Sequence, residues 1–280
     1  MDWDGREFLY LAYLQNTGLM RHVFSRPLSP LIGMNHLWSL AVEEQFYFVW
    51  PALVYVLKER KRLMTCAGAL MGASLALRIA MLYLHVSKGA IYTFTPTRAD
   101  SLMMGALLAL AWRSSPRTQA RVAGAARVAL PCGVAALIAL AWPRGNLSWD
   151  SFGVASIGYT VTALTSAALL ALSLGTGIFR RLLDRRLLRA LGKYSYGIYV
   201  LHYPVLTLFD HWRVPGWVQD GVGLTGTRVL TVVTAAAVAL GLAILSYHLY
   251  ESRFLRLKKH FRYRFDSTRS ATVTVGAVQQ

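Results

Sequence analysis

The chain has 280 residues, of which 55% are hydrophobic and only 15% are charged, and its mean hydropathy is +0.40. Soluble domains normally carry about 25% charged residues, so this composition excludes an ordinary water-soluble domain. The net charge of +17 does not indicate a nucleic-acid partner, because the basic residues alternate along the chain instead of forming one patch.

Seven apolar stretches follow one another, each close to the roughly 20 residues that a helix needs to cross a bilayer. They are 37–57, 63–84, 91–112, 122–142, 152–174, 187–209 and 225–250. This pattern predicts an all-α, polytopic membrane helical bundle with about seven transmembrane helices. We expect an extracytoplasmic or interfacial segment at 1–36, a membrane domain at 37–250 and a basic cytoplasmic tail at 251–280.

Basic residues are concentrated in every second connection between these stretches. One such connection is "KERKR" at 58–62, and two others carry the arginines of 113–127 and 180–189. The connections between them hold one basic residue each, which are Lys88, Arg144 and Arg213. This is the positive-inside pattern of a multi-pass protein of the cytoplasmic (bacterial inner) membrane. It predicts a cytoplasmic C-terminus and, with seven crossings, places residue 1 on the opposite side.

The first stretch carries two adjacent carboxylates in the segment "NHLWSLAVEEQFYFVWP". At helical spacing, one polar face holds His36, Ser39, Glu43, Tyr47 and Trp50. Ionisable residues inside a membrane span are costly, which makes them candidates for a functional site. Two interpretations stay open: the face is a hydrogen-bonded wall of an internal site, or the acids stabilise a helix N-terminus at the interface.

Two later segments also bring polar groups into apolar stretches. In "TPTRADSLMMG" (95–105), Arg98 and Asp100 either belong to a capped helix at the interface or project into the same cavity as Glu43. In "LGKYSYGIYVLHYPV" (191–205), Ser195, Tyr199 and His202 share one helical face. A lone histidine in an apolar helix is more often structural, and Arg78 in mid-span is expected to snorkel or to pair with another helix.

These three segments resemble the acyltransferase-3 family of integral-membrane O-acyltransferases. The family signature H-x-WSL-x-VEEQFY is matched by residues 36–47, and an Arg-x-Asp element followed by glycine is matched by Arg98, Asp100 and Gly105. The family helix "LG…SY…Y…H-x-P" is matched by Leu191, Gly192, Ser195, Tyr196, Tyr199, His202 and Pro204. Glu251 stands where the family has a late glutamate before a basic tail.

The resemblance implies an enzyme that transfers an acyl group, commonly acetyl, from acyl-CoA to a hydroxyl of a carbohydrate or another cell-envelope acceptor. Acetyl-CoA is then a co-substrate, no cofactor or metal is bound, and the partners are the lipid bilayer, the donor and the acceptor. The implied catalytic candidates are Glu43, His36 and His202. The implied substrate-binding candidates are Arg98, Asp100, Ser195, Tyr196 and Tyr199, with Arg98 and Asp100 expected to form an ion pair that lines the cavity.

The resemblance implies a fold of about ten membrane helices with both termini cytoplasmic. The presumed catalytic histidine of the family lies on the first of these helices. Seven stretches with residue 1 outside are therefore expected to represent a member that lacks the N-terminal helices. His22, in a loop between prolines, and His36, which has its own match, do not take the missing role. Two alternatives stay open: an inactive or partner-completed scaffold subunit, and a small-solute transporter.

Overall fold

The structure is a computed structural model that describes residues 6–17, 35–211 and 216–257. Its α-helices are α1 Arg6–Leu11, α2 Trp38–Leu57, α3 Arg60–Tyr83, α4 Lys88–Thr93, α5 Thr95–Trp112, α6 Pro116–Ala141, α7 Tyr159–Leu174, α8 Ile178–Leu183, α9 Arg186–His211, α10 Gly216–Ser246 and α11 Ser252–Leu257. π-Helical turns cover Val154–Gly158 and Tyr247–Glu251. The described ranges contain no strand, which confirms the all-α prediction.

Five helices are long and apolar enough to cross a membrane: Trp38–Leu57, Arg60–Tyr83, Pro116–Ala141, Val154–Leu174 and Thr225–Leu257. Each of the seven predicted apolar stretches coincides with a helix. The two that do not reach the hydropathy of the others are α5 and α9. The charges of Arg98 and Asp100 lower the mean hydropathy of α5, while histidine and tyrosine side chains lower that of α9.

Proline and helix-capping residues mark the starts of α5 and α6, two of the helices that line the cavity described below. The α5 helix begins after Phe94, whose backbone is extended, and has Pro96 in its first turn, where a missing N–H leaves no hydrogen bond unmade. The α6 helix begins with Pro116, and the hydroxyl of Ser115 accepts a hydrogen bond from the backbone N–H of Thr118. Both helix starts are therefore fixed by local sequence.

The chain forms two compact units, Met1–Gly192 and Lys193–Gln280. In the first unit α3 packs along α5, α6 packs along α7, and α5 also contacts α7. One buried cluster at these contacts consists of Leu108, Ala126, Ala168 and Ala171. Small residues let membrane helices approach closely, so the alanines bring α6 and α7 together beside α5.

The contact between α6 and α7 also depends on the absence of a side chain at Gly133. A Cβ there would fall onto the hydroxyl oxygen of Thr165, which donates a hydrogen bond to the carbonyl of Val161 at 2.7 Å. We expect Gly133→Ala to push the helices apart and to lower the free energy of unfolding by about 1–3 kcal/mol. Unfolding titrations in detergent measure this change.

Gly124→Ala is the matched control, because it lies in the same helix and a Cβ there meets nothing within 4 Å. It should leave the free energy of unfolding unchanged or raise it slightly, since alanine favours the helix by about 1 kcal/mol. Equal stability of the two variants would contradict the close packing at Gly133.

In the second unit α9 packs against α10 around Val205, Ala235 and Ala239. Gly197 allows this approach, since a Cβ there would lie 3.0 Å from the Cβ of Ala243. The α10 helix is kinked at Gly223, whose φ of 70° lies in the left-handed region that favours glycine. The helices of this unit carry the candidate residues of the 191–205 segment.

Candidate functional site

A cavity of about 530 Å³ lies between α5, α6 and α7 in the first unit. Its polar wall is formed by Arg98, Ser101, Thr162 and Ser166 together with the rings of Tyr92, Trp149 and Tyr159. Its apolar wall is formed by Leu108, Leu137, Leu147, Val154, Ala163, Ala167 and Leu170, with Gly105 and Gly158. A concave, mostly apolar site with a few convergent polar groups is the usual form of a small-molecule site.

The guanidinium of Arg98 is held among three aromatic rings. Its central carbon lies 4.3 Å from the ring centre of Tyr159, 5.4 Å from that of Tyr92 and 5.7 Å from that of Trp38. We call Trp38, Tyr92 and Tyr159 the aromatic cage. Cation–π attraction is worth about 2 kcal/mol or more when the cation is desolvated, so the cage holds the charge in place.

One hydrogen-bond donor of Arg98 lacks an acceptor among the described residues. The Nη1 atom is buried and has no hydrogen-bond partner within the described ranges, although the side chain lines the cavity. A buried donor without an acceptor is costly, and a bound ligand that accepts from it removes that cost. The cage satisfies the charge of Arg98 but leaves this N–H group without an acceptor.

Behind the cavity, Arg78 and Asp100 form a fully buried ion pair. Their side chains are 0% exposed, and Arg78 Nη2 lies 2.9 Å from Asp100 Oδ2. Arg78 also donates to the carbonyls of Thr97 at 2.7 Å and Ser156 at 2.8 Å. The hydroxyl of Thr160 donates to Asp100 Oδ2 at 2.5 Å. The charges are thus both paired and hydrogen-bonded, as burial in a membrane bundle requires.

This network orients the cavity wall as well as joining α3, α5 and α7. The carbonyl of Ser156 belongs to the π-helical turn Val154–Gly158, and Tyr159 directly follows that turn. The hydroxyl of Tyr159 donates to the carbonyl of Trp149 at 3.0 Å. The π-helical turn interrupts the regular backbone spacing, and Arg78 binds it at the place where Tyr159 stacks on Arg98.

The expected ion pair between Arg98 and Asp100 is wrong. Two residues that are two positions apart on a helix point in directions about 200° apart. Asp100 accordingly faces α3 and pairs with Arg78, whereas Arg98 faces the aromatic cage and the cavity. Asp100 is absent from the cavity lining. Arg78 was expected either to snorkel or to pair with another helix. The second is observed, because it pairs with Asp100 of α5.

Gln45 of the "VEEQFY" segment ties three parts of the chain together. Its Nε2 atom donates to the carbonyl of Tyr13 at 2.6 Å and to Asn16 Oδ1 at 2.9 Å. Its Oε1 atom accepts from the hydroxyl of Thr95 at 2.5 Å. Asn16 in turn donates to the carbonyl of Thr93 at 3.0 Å. These bonds fix the start of α5, one turn before Arg98.

The acid and the histidine of the same segment are placed differently from this glutamine. Glu43 is exposed on α2 and does not line the cavity next to Arg98. His36 lies in the 3-10 turn Asn35–Leu37, with both ring nitrogens buried. Among the described residues of this segment, Trp38 is the one that contributes a ring to the aromatic cage. The contact of this segment with Arg98 is therefore aromatic, and a catalytic role of Glu43 or His36 stays a prediction.

The remaining candidates lie on α9 in the second unit. Ser195 and Tyr196 are exposed, and Tyr199 and His202 are partly buried. His202 Nδ1 lies 2.6 Å from the carbonyl oxygen of Tyr199. Because a carbonyl oxygen only accepts hydrogen bonds, Nδ1 is the donor in this contact.

Sequence reasoning missed the residues that form most of the polar wall. Tyr92, Trp149 and Tyr159 lie close to the ends of apolar stretches, where aromatic residues normally indicate only a membrane interface. Ser101, which lies in the wall, and Thr160, which bonds Asp100 behind it, are common residue types that a single sequence does not mark as part of a site. The one usable clue was Arg78, since a mid-span arginine requires acceptors from neighbouring helices.

Comparison with known proteins places this geometry in a family. A family model described as "Acyltransferase domain" matches residues 6–248. The "Putative peptidoglycan O-acetyltransferase YrhL" of Bacillus subtilis is 31% identical over 255 residues, which cover 86% of this chain and 38% of that protein. The "Peptidoglycan O-acetyltransferase OatA" of Listeria monocytogenes is 33% identical over 191 residues, covering 62% of this chain and 29% of that protein.

The "O-acetyltransferase OatA" of Staphylococcus aureus is 27% identical over 191 residues, covering 65% of this chain and 31% of that protein. This chain thus spans about a third of the length of these relatives. No solved structure matches it. The family model covers most of the chain, and the apolar helices are those of a multi-pass membrane protein. The chain therefore belongs to the acyltransferase-3 family, as the resemblance of its three polar segments predicted.

Proposed function

We propose that this chain transfers an acyl group, acetyl in the first instance, from acyl-CoA to a hydroxyl of a cell-envelope carbohydrate. The observation that carries the proposal is the cavity that Arg98, held by the aromatic cage, lines together with Ser101, Thr162 and Ser166. Aromatic rings suit the apolar faces of a sugar, and hydroxyl groups suit its hydroxyls. The relatives are named as O-acetyltransferases, which agrees with this chemistry.

In this reaction the acceptor oxygen forms a bond to the thioester carbonyl carbon while the carbon–sulfur bond breaks. The proton of the acceptor hydroxyl passes to a base and then to the thiolate of CoA. A positioned base typically contributes about 10²–10⁴-fold to the rate. We propose Glu43, His36 and His202 for proton transfer, and Arg98, Ser195, Tyr196 and Tyr199 for substrate binding. Asp100, which is held by Arg78, supports the site indirectly.

We propose a cytoplasmic C-terminus and a cavity that opens toward the outer half of the membrane. Arg98 lies in the first turns of α5, on the side opposite the arginine-rich connection at 113–127. The positive-inside pattern supports this orientation. Acyl-CoA, which carries phosphates, would then approach from the basic side and the envelope acceptor from the other.

Cysteine labelling tests this orientation after Cys66 and Cys132 are replaced by alanine. We expect a membrane-impermeant maleimide to label Asn146→Cys in intact spheroplasts, because the 142–151 connection faces outward. Ser115→Cys, in a basic connection, should be labelled only after the membrane is permeabilised. The reverse pattern of labelling would refute the proposed orientation.

Chromosomal deletion of the gene tests the function in the cell that makes the protein. We expect alkali-labile acetate on purified envelope carbohydrate to fall when the gene is deleted and to return when it is restored. Restoration with Glu43→Gln should fail, since the amide can neither accept nor release the acceptor's proton. Restoration with the adjacent Glu44→Gln, at equal membrane abundance, is the matched control and should succeed.

An unchanged acetate content in the deletion strain would contradict the proposed transferase. Normal acetate with Glu43→Gln would remove Glu43 from the chemistry while leaving the transferase itself in place. The two results are therefore separable, and each is read from the same released acetate.

A further inference from the structure

We propose that Arg98 is an oxyanion receptor, so that the cavity selects a substrate bearing a carboxylate or phosphate group. This inference rests on the proposed function and deepens it by naming the chemical class of the ligand. It depends on the charges around the cavity, on the geometry of the aromatic cage and on the unused donor of Arg98.

Arg98 is the charged residue of the cavity lining, and within the described part of the chain no carboxylate forms an ion pair with it. The nearest carboxylate in sequence, Asp100, is already bound by Arg78 and by Thr160. A cation without a contacting counter-ion attracts an anion, and the attraction is stronger at a partly buried site than in bulk water. The ion pair behind the wall therefore leaves the charge of Arg98 for a ligand.

The aromatic cage holds Arg98 without consuming its hydrogen bonds. Ring faces at 4.3 to 5.7 Å stabilise the cation through its flat surface, whereas N–H donors point outward in the plane of the guanidinium. The Nη1 donor has no acceptor within the described residues. A planar guanidinium with an in-plane donor that lacks an acceptor is suited to carboxylate and phosphate oxygens, which accept charge-assisted hydrogen bonds.

The acceptor is the expected source of the oxyanion, because an acidic sugar carries a carboxylate and approaches, in the proposed orientation, from the side of Arg98. The alternative source is CoA, which carries phosphates and would have to reach Arg98 from the basic side. Both present the same chemistry to Arg98, so the experiment must contain one matched pair of ligands for each source. A neutral acceptor and a phosphate-free donor complete the two pairs.

Saturation-transfer NMR on the protein in lipid nanodiscs measures binding without requiring catalysis. The acceptor pair is methyl glucuronide and methyl glucoside, and the donor pair is acetyl-CoA and acetyl-pantetheine. In at least one pair, we expect wild-type protein to bind the charged ligand at least about tenfold more tightly than the neutral ligand, because the charged ligand accepts a charge-assisted hydrogen bond. Arg98→Gln should abolish that preference.

Arg127→Gln is the matched control, because Arg127 is an exposed arginine outside this cavity, and it should retain the preference. Preference within the glucuronide pair assigns the oxyanion to the acceptor, and preference within the acetyl-CoA pair assigns it to the donor. Equal affinity within both pairs in wild type would overturn the proposal, even if Arg98→Gln did not fold. A preference that survives Arg98→Gln would overturn it as well.

These outcomes are distinct from failure of the proposed function. Loss of the transferase is read from acetate on envelope carbohydrate, whereas the oxyanion receptor is read from equilibrium binding. A protein that shows the binding preference but transfers no acetyl group would support the oxyanion receptor and contradict the proposed transferase.

Discussion

Arg78→Met is expected to lower the free energy of unfolding by about 3–5 kcal/mol, the usual result of removing one partner of a buried ion pair. The substitution leaves Asp100, which is 0% exposed, without its counter-ion and strips hydrogen bonds from the carbonyls of Thr97 and Ser156. Because Ser156 lies in the π-helical turn before Tyr159, the aromatic cage should loosen as well. Denaturant titrations of the detergent-solubilised protein measure the stability.

The double variant Arg78→Met with Asp100→Leu should recover most of the lost stability, since no charge then stays buried and unpaired. Arg62→Met is the matched control. Its partner Glu59 lies 3.1 Å away, but both side chains are more than half exposed, so the change should be within about 1 kcal/mol. Equal losses for Arg78→Met and Arg62→Met would mean that the buried pair does not hold α3, α5 and α7 together.

Gly105→Phe is expected to reduce acyl transfer by about 100-fold or more while the protein still folds. Gly105 lines the cavity, and a Cβ at this position meets nothing within 4 Å, so a large side chain can enter the open space without displacing the backbone. A misplacement of the substrate by only about 1 Å can already cost about 10²-fold in rate. Alkali-labile acetate in cells carrying the variant reports the effect.

Gly72→Phe provides the matched control for this cavity-filling change. A Cβ at Gly72 on α3 also meets nothing within 4 Å, but Gly72 is exposed and lies outside the cavity lining. Transfer should therefore stay near the wild-type level at equal membrane abundance. If Gly105→Phe transferred as well as Gly72→Phe, the substrate would have to occupy another place.

The helices were predictable from the sequence for a physical reason. Inside a bilayer every backbone N–H and C=O must be hydrogen-bonded within its own segment, so a long apolar stretch is almost forced to be helical. The stretches at 37–57 and 63–84, for example, correspond to α2 and α3 within a few residues. The observed starts of α5 at Thr95 and of α6 at Pro116 differ from the expected 91 and 122 by several residues, and a proline lies in the first turn of each helix.

The partners of the polar residues were not predictable, because they are set by contacts between distant segments. Asp100 is paired with a residue 22 positions away, and the cage gathers Trp38 from α2, Tyr92 from α4 and Tyr159 from α7. Helical periodicity shows which residues share a face, but it does not say which neighbouring helix that face meets. The expected pair of Arg98 and Asp100 was an error of another kind, because residues two positions apart on a helix point in nearly opposite directions.

The polar face of α2 shows the same limit in another form. Periodicity placed His36 and Glu43 on one face, yet the structure leaves Glu43 exposed and buries the ring nitrogens of His36. Two other residues of the motif contact the cavity region, since Trp38 lies against Arg98 and Gln45 hydrogen-bonds the start of α5. Motif residues therefore support the site through packing and hydrogen bonding as well as through acid–base groups.

The most direct test of the account is transfer of radiolabelled acetyl from acetyl-CoA by the gene product purified into nanodiscs, with an envelope glycan as acceptor. We expect label in an alkali-labile ester on the glycan, with little transfer by Gly105→Phe and normal transfer by Gly72→Phe. Label that stays on CoA would contradict the proposed transferase, and transfer by Gly105→Phe equal to that of wild type would contradict substrate binding in the cavity.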